Sequence, residues 1–197
     1  LLSGLRNRGF YLGEAFNLIM EQAGVDVQVA LARGQAERAV DIGLIATDRP
    51  LASYNIGLNN GGFKATGEAQ ASIGVNLVNP SGRFDSASLI VNGSQGTLFG
   101  RGEYAIAAGD AGLRLGINAS HLDYRLVQSS FSALQSKGTA DTIGLTAGWP
   151  IAQRVNFGLS LLGSFEERLL IDNTISGETS NRQVGVGTLG LTGYTLV

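Results

Sequence analysis

The chain has no cysteine, one histidine, one methionine, one tryptophan and three prolines in 197 residues. Without cysteine there is neither a disulfide framework nor a thiolate metal site. A single histidine, His121, does not make a zinc centre. Charge is scarce too. Asp, Glu, Lys and Arg make up 15% of the residues, against about 25% in a typical water-soluble domain. The net charge of −2 leaves no basic footprint for nucleic acid. No apolar run approaches the roughly 20 residues of a membrane-spanning helix. The first residue is Leu1 and no signal-peptide pattern follows, so the chain reads as a piece of a longer protein.

Catalytic patterns are missing as well. His121 lies near Asp123 and several serines, but no G-x-S-x-G turn singles out a nucleophile. Gly185-Val186-Gly187-Thr188-Leu189-Gly190 spells G-x-G-x-x-G. A nucleotide fold needs a helix after that motif, and Leu191–Val197 is β-like instead. Glu166 and Glu167 are neighbours, and neighbours on a strand point to opposite faces. The expectation is therefore no enzyme, no cofactor, no metal and no nucleotide.

What the chain has is alternation. Ala69, Ala71, Ile73, Val75 and Leu77 are apolar, while Glu68, Gln70, Ser72, Gly74 and Asn76 between them are polar or small. A period of two belongs to a strand with one apolar and one polar face. About eight such segments follow one another from residue 52. They are Ser53–Asn59, Gly67–Val78, Asp85–Ser94, Leu98–Ala107, Leu113–Leu126, Thr139–Trp149, Val155–Glu167 and Arg182–Leu196. The phase slips near Leu122, which suggests a bulge or an exit from the membrane. Pro150 is expected to end the sixth strand, and residues 172–181 to form a polar loop.

Low charge, no spanning helix and serial amphipathic strands predict a mainly β fold, a transmembrane antiparallel outer-membrane β-barrel. Backbone groups in lipid need partners, and only a closed barrel or a helix provides them. Glu68, Gln70, Asn76, Arg101, Glu103, Arg114 and Asn118 are the candidates for its water-facing wall. Tyr54, Tyr104, Tyr124, Trp149 and Tyr194 fall near strand ends and suit an interfacial aromatic girdle.

Residues 1–48 read differently. Leu12, Phe16, Ile19 and Met20 recur near helical spacing across Gly13–Gln22, and Gly24 follows as a stop. Strands Val25–Leu31 and Ala39–Thr47 come next, around the turn Ala32-Arg33-Gly34-Gln35. Asp48-Arg49-Pro50 punctuates the end. This predicts an α+β module over 1–48 and strands of a barrel over 49–197.

Several motifs then point to one family. Asn59-Asn60-Gly61-Gly62-Phe63-Lys64-Ala65-Thr66-Gly67 resembles the D-N-x-G-x-x-x-T-G segment of the two-partner secretion transporters. These are the haemolysin secretion/activation proteins of Gram-negative bacteria. Asn79-Pro80-Ser81-Gly82-Arg83-Phe84-Asp85 resembles their N-P-L-G-x-G-D turn. Tyr104 to Gly112 with Leu115-Gly116, and Ser120 to Leu126 through Tyr124, are similar to their next two motifs. Trp149-Pro150-Ile151, Arg154 and Asn156-Phe157 are similar to Y-P-L…R…N-L. Asn59, Gln70, Ser81, Phe84 and Ala107 depart from the family pattern.

The resemblance implies a fragment covering the end of a second POTRA domain and about half of the family's barrel. No residue here matches the V-R-G-Y lid loop or the plug helix, so neither role is carried over. It further implies a pore that passes an unfolded exoprotein from periplasm to cell surface without ATP, the cargo folding into a β-helix outside. Outer-membrane lipid would be the other partner. Val25, Val27, Val29 and Leu31 mark the candidate strand onto which cargo adds. An assembly barrel of the same superfamily and a passive porin share the alternation. A soluble β-sandwich fits the low charge least.

Overall fold

The computed structural model describes residues 25–33, 40–48, 50–109, 111–129, 135–154 and 156–195. The expected helix Gly13–Gln22, its stop at Gly24, and Gly34 and Gln35 lie outside the described residues, as do the side chains of Val25, Val27, Val29 and Leu31.

Two antiparallel sheets are present. The first pairs β1 (Val25–Arg33) with β2 (Val40–Asp48). The second has eight strands: β3 (Ala52–Asn59), β4 (Gln70–Val78), β5 (Asp85–Ser94), β6 (Thr97–Ala108), β7 (Leu113–Arg125), β8 (Lys137–Arg154), β9 (Phe157–Thr174) and β10 (Gly177–Thr195). Their order in space is their order in sequence, so the sheet is one continuous meander.

Register fixes the faces, because paired residues project to the same side. Tyr54, Val75, Leu89, Gly102, Ala119 and Ile143 form one cross-sheet row. The neighbouring row joins Leu77, Ala87, Tyr104, Ile117, Leu145 and Phe165. These rows make an apolar face across the sheet. No hydrophobic side chain among the described residues is buried. Ile73 is 47% exposed and Leu115 45%. An eight-stranded sheet without a buried apolar core does not fold against itself as a water-soluble sandwich does. No described helix is long and apolar enough to cross a membrane.

Several expectations need correcting. Glu68 is not on a strand: Gly67 takes φ +112, a left-handed-side conformation, and β4 begins only at Gln70. There is no bulge at Leu122. Its pairing runs unbroken through β7, and Leu122 shares a row with Phe99, Ala140 and Leu170 on the other face. The alternation breaks in sequence because that face carries an apolar row of its own. Pro150 does not end its strand. The register shift between Pro150 and Ala152 absorbs the missing N–H, and β8 continues to Arg154. Residues 172–181 are not a loop: β9 and β10 pair through Gly177↔Thr174, and Gly177 at φ +109 turns the chain. Of the five girdle aromatics, Tyr54, Tyr104 and Trp149 lie on the apolar face, while Tyr124 and Tyr194 lie on the opposite one.

Candidate functional site

The second face is polar along its centre. Ser53, Asn76, Ser88, Glu103, Asn118, Gly144 and Glu166 form one row across seven strands. The row above it holds Asn55, Gly74, Ile90, Arg101, Ser120, Thr142 and Arg168. Of the candidate wall residues, Gln70, Asn76, Arg101, Glu103, Arg114 and Asn118 all sit on this face. Glu68 does not; its carbonyl oxygen accepts from Gly62 N at 2.9 Å.

A charged lattice occupies the middle of this face. Arg101 Nη2 lies 3.3 Å from Glu166 Oε1 and 4.0 Å from Glu103 Oε2. Arg168 Nη2 reaches Glu166 Oε2 at 2.7 Å. Glu166 thus takes a guanidinium on each oxygen, and two cations balance two anions. Beside it Asn118 is only 3% exposed, and neither amide atom has a hydrogen-bond partner. Gly144 leaves the room: a Cβ there would lie 2.8 Å from Glu166 Cγ and 3.0 Å from Asn118 Nδ2. Higher on the same face Tyr124 donates to Asp172 Oδ1 at 2.7 Å. Glu166, Arg168 and Asp172 were not among the sequence candidates. Their strand parity was the available signal for Glu166 and Arg168; for Asp172 it was hidden by composition that looks like a loop.

Two motif segments fold into built corners. In the first, Asn79 at φ 53 and Phe84 at φ 57 bracket Pro80, Ser81 and Gly82. Phe84 N donates to Asn79 Oδ1 at 2.8 Å, and Asn79 N to the Asp85 carbonyl at 2.6 Å. Asp85 is 1% exposed. Its Oδ1 accepts from Ser81 N at 3.1 Å, and its Oδ2 from the Tyr104 hydroxyl at 2.9 Å. Arg114 closes the corner, donating to the Phe84 carbonyl at 3.2 Å and to Ser86 Oγ at 2.9 Å. Gly82 N also donates to the Asn79 carbonyl at 3.2 Å, so the turn that contains Pro80 joins Asn79, Gly82, Asp85, Tyr104 and Arg114 in one network. Asp85→Ala leaves the Tyr104 hydroxyl and the Ser81 N–H without their partner. It should lower the urea midpoint of the folded protein well beyond Arg83→Ala in the same turn, with Tyr104→Phe falling between the two.

In the second corner, residues 60–69 fold back over the β5–β6 hairpin. Gly96 N donates to the Thr66 carbonyl at 2.6 Å, and Ser94 Oγ to the same oxygen at 2.8 Å. Val127 N reaches the Ala65 carbonyl at 2.8 Å. Thr66 and Gly67 are thus held against Ser94, Gln95 and Gly96, while Gly62 is tied to Glu68. Next to Asn60, the Asn59 side chain accepts from Gly61 N at 3.0 Å.

Comparison with known proteins places the fold. No protein-family model matches the chain. It is 28% identical over 156 residues, 78% of its length, to the heme/hemopexin transporter protein HuxB of Haemophilus influenzae. It spans about a quarter of that protein's length, 27%. Among solved structures, CdiB from Escherichia coli superposes with a TM-score of 0.75 at 18% identity, covering 94% of this chain and 39% of CdiB. CdiB from Acinetobacter baumannii gives 0.67 at 17%, covering 90% and 35%. BamA from Haemophilus ducreyi gives 0.54 at 16%, covering 94% and 38%. The fold is that of an outer-membrane β-barrel, here eight consecutive strands of one.

Proposed function

We propose that this chain is part of an outer-membrane pore that exports a partner exoprotein from the periplasm to the cell surface. The observation that carries the reading is the meander with one apolar face, one polar face and, among the described residues, no buried hydrophobic side chain. Lipid covers the first face and water wets the second. The similarity to HuxB, named as a transporter, favours passage of a cargo over a purely structural role.

The polar wall then serves transit. Gln70, Asn76, Arg101, Glu103, Arg114 and Asn118 share it with Glu166 and Arg168. A charge-balanced lattice keeps the centre of the path hydrated, where an unfolded segment meets paired charges rather than an apolar surface. The cargo folds into a β-helix outside, which makes export directional without ATP. Residues 1–48 are the remnant of a POTRA-like docking module on the periplasmic side. Cargo adds a strand along β1, at Val25, Val27, Val29 and Leu31, using main-chain hydrogen bonds.

The test uses the full-length gene with its partner gene in a Gram-negative host. Deleting the cargo's N-terminal secretion domain should stop its release to the medium. Unchanged release that still depends on this protein would overturn the proposal.

A further inference from the structure

The inference rests on the outer-membrane reading and goes beyond it, to the lipid that the apolar face takes. That face is not even. A groove of about 650 Å3 is floored by Gly102 and Ala119 and walled by Tyr104, Ile117, Leu145 and Phe165. It opens into a second groove of about 620 Å3 that holds His121, Asp141, Glu167 and Gln183. The two share Ala119, Ile143 and Glu167.

The four polar side chains form two cross-strand pairs. His121 Nδ1 lies 2.6 Å from Asp141 Oδ1. Gln183 Nε2 donates to Glu167 Oε1. They stand on the apolar face above the row of Ile117, Leu145 and Phe165: Glu167 continues the row of Ala119 and Ile143, and His121, Asp141 and Gln183 lie in the row after it. Asp123 and Thr139 follow in the next row, and then Arg125 paired with Lys137. Along β7 and β8 this one face therefore presents an apolar groove, then hydrogen-bonding groups, then two cations.

The glycines under the groove are not there for the backbone. Neither Gly100 nor Gly102 has a positive φ. A Cβ on Gly100 would meet nothing within 4 Å, and one on Gly102 would meet only the Ser88 carbonyl at 4.0 Å. A strand gains from larger side chains at such positions. The space they leave is what the sequence keeps.

We infer that this groove binds a phosphorylated, acylated glycolipid of the outer leaflet. An acyl chain fits the apolar trough. Sugar hydroxyl and amide groups match the carboxylates, imidazole and carboxamide above it, which both donate and accept. Phosphate matches Arg125 and Lys137 at the top. A plain phospholipid places its phosphate straight above its acyl chains, against Asp141 and Glu167, where like charges repel. Arg125 also donates to the Gln95 carbonyl at 3.2 Å, so Lys137 is the freer cation and the better one to change.

The experiment uses the full-length protein, purified in detergent and inserted into vesicles. Native mass spectrometry then reads retention of bisphosphoryl lipid A against dipalmitoyl phosphatidylglycerol. The wild type should retain lipid A about tenfold more strongly. Gly102→Leu fills the trough and should erase that preference, with Ala119→Leu, at a residue that lines the same trough, as a second filling variant should the first fold poorly. Lys137→Glu should weaken retention of the bisphosphoryl form and leave the dephosphorylated form unchanged. Equal retention of both lipids, or a preference unchanged by filling the trough, overturns the inference. A protein that inserts into no vesicle overturns the outer-membrane reading as well, and an inserted protein without preference overturns only the glycolipid site.

Discussion

Leu145→Arg should cost the full-length barrel about 2–4 kcal/mol, the penalty for a cation on a lipid-facing strand near mid-bilayer. Leu145 is exposed and sits between Ile117 and Phe165 on the apolar face. Ser164→Arg makes the matching change on the polar face. Ser164 pairs with Thr146 and lines a pocket that also contains Glu103. The added guanidinium there meets water and a carboxylate, and stability should move by less than about 1 kcal/mol. Urea unfolding in bilayers, followed by the shift between folded and heat-unfolded mobility on gels, reads both. Equal losses for the two variants would mean that the faces are not divided between lipid and water.

Gly67→Val is the second large effect. Gly67 sits at φ +112, and a Cβ there would lie 2.8 Å from Gln95 Cβ and 2.9 Å from Gln95 N. Two costs combine. A β-branched residue forced to positive φ is strained by about 1–3 kcal/mol. Crowding a backbone that cannot move away adds about 1–3 kcal/mol. Gly177→Val separates them, because Gly177 has φ +109 with nothing within 4 Å of the added carbon. It should show the strain alone. The same unfolding measurement decides: equal midpoints for the two variants would mean that the 60–69 segment does not press on the β5–β6 hairpin as described.

Facing was legible from the sequence; strand length was not. Asp85–Ser94 coincides with β5, and the apolar phase of Leu113, Leu115 and Ile117 is the phase of β7. Inside lipid each outward residue must be apolar, so the chemistry writes the period directly. Beyond the lipid belt that demand ends. Asp172, Asn173 and Thr174 then read like a loop although they are paired strand. Pro150 misled for a related reason, since a bulge can absorb its missing donor. Glu68 was misplaced because the conformation of Gly67 is set by its contact with Gln95, twenty-eight residues away in sequence. The lattice around Glu166 needed the register of four strands at once: Arg101 on β6 and Glu166 on β9 meet across β7 and β8, where Gly144 carries no side chain in the way. The Asn79–Asp85 corner was legible as a motif, yet its tie to Arg114 was not, because that contact crosses two strands.

Every ladder in the large sheet joins neighbours in sequence. Contact order is therefore low for an all-β structure, and low contact order favours quick folding. Each hairpin finds its template already formed beside it, so the sheet can grow by zippering rather than by searching. The 126–136 connection is then a natural place to divide the gene. Within this sheet, two polypeptides cut there would have one ladder, β7 with β8, to re-form.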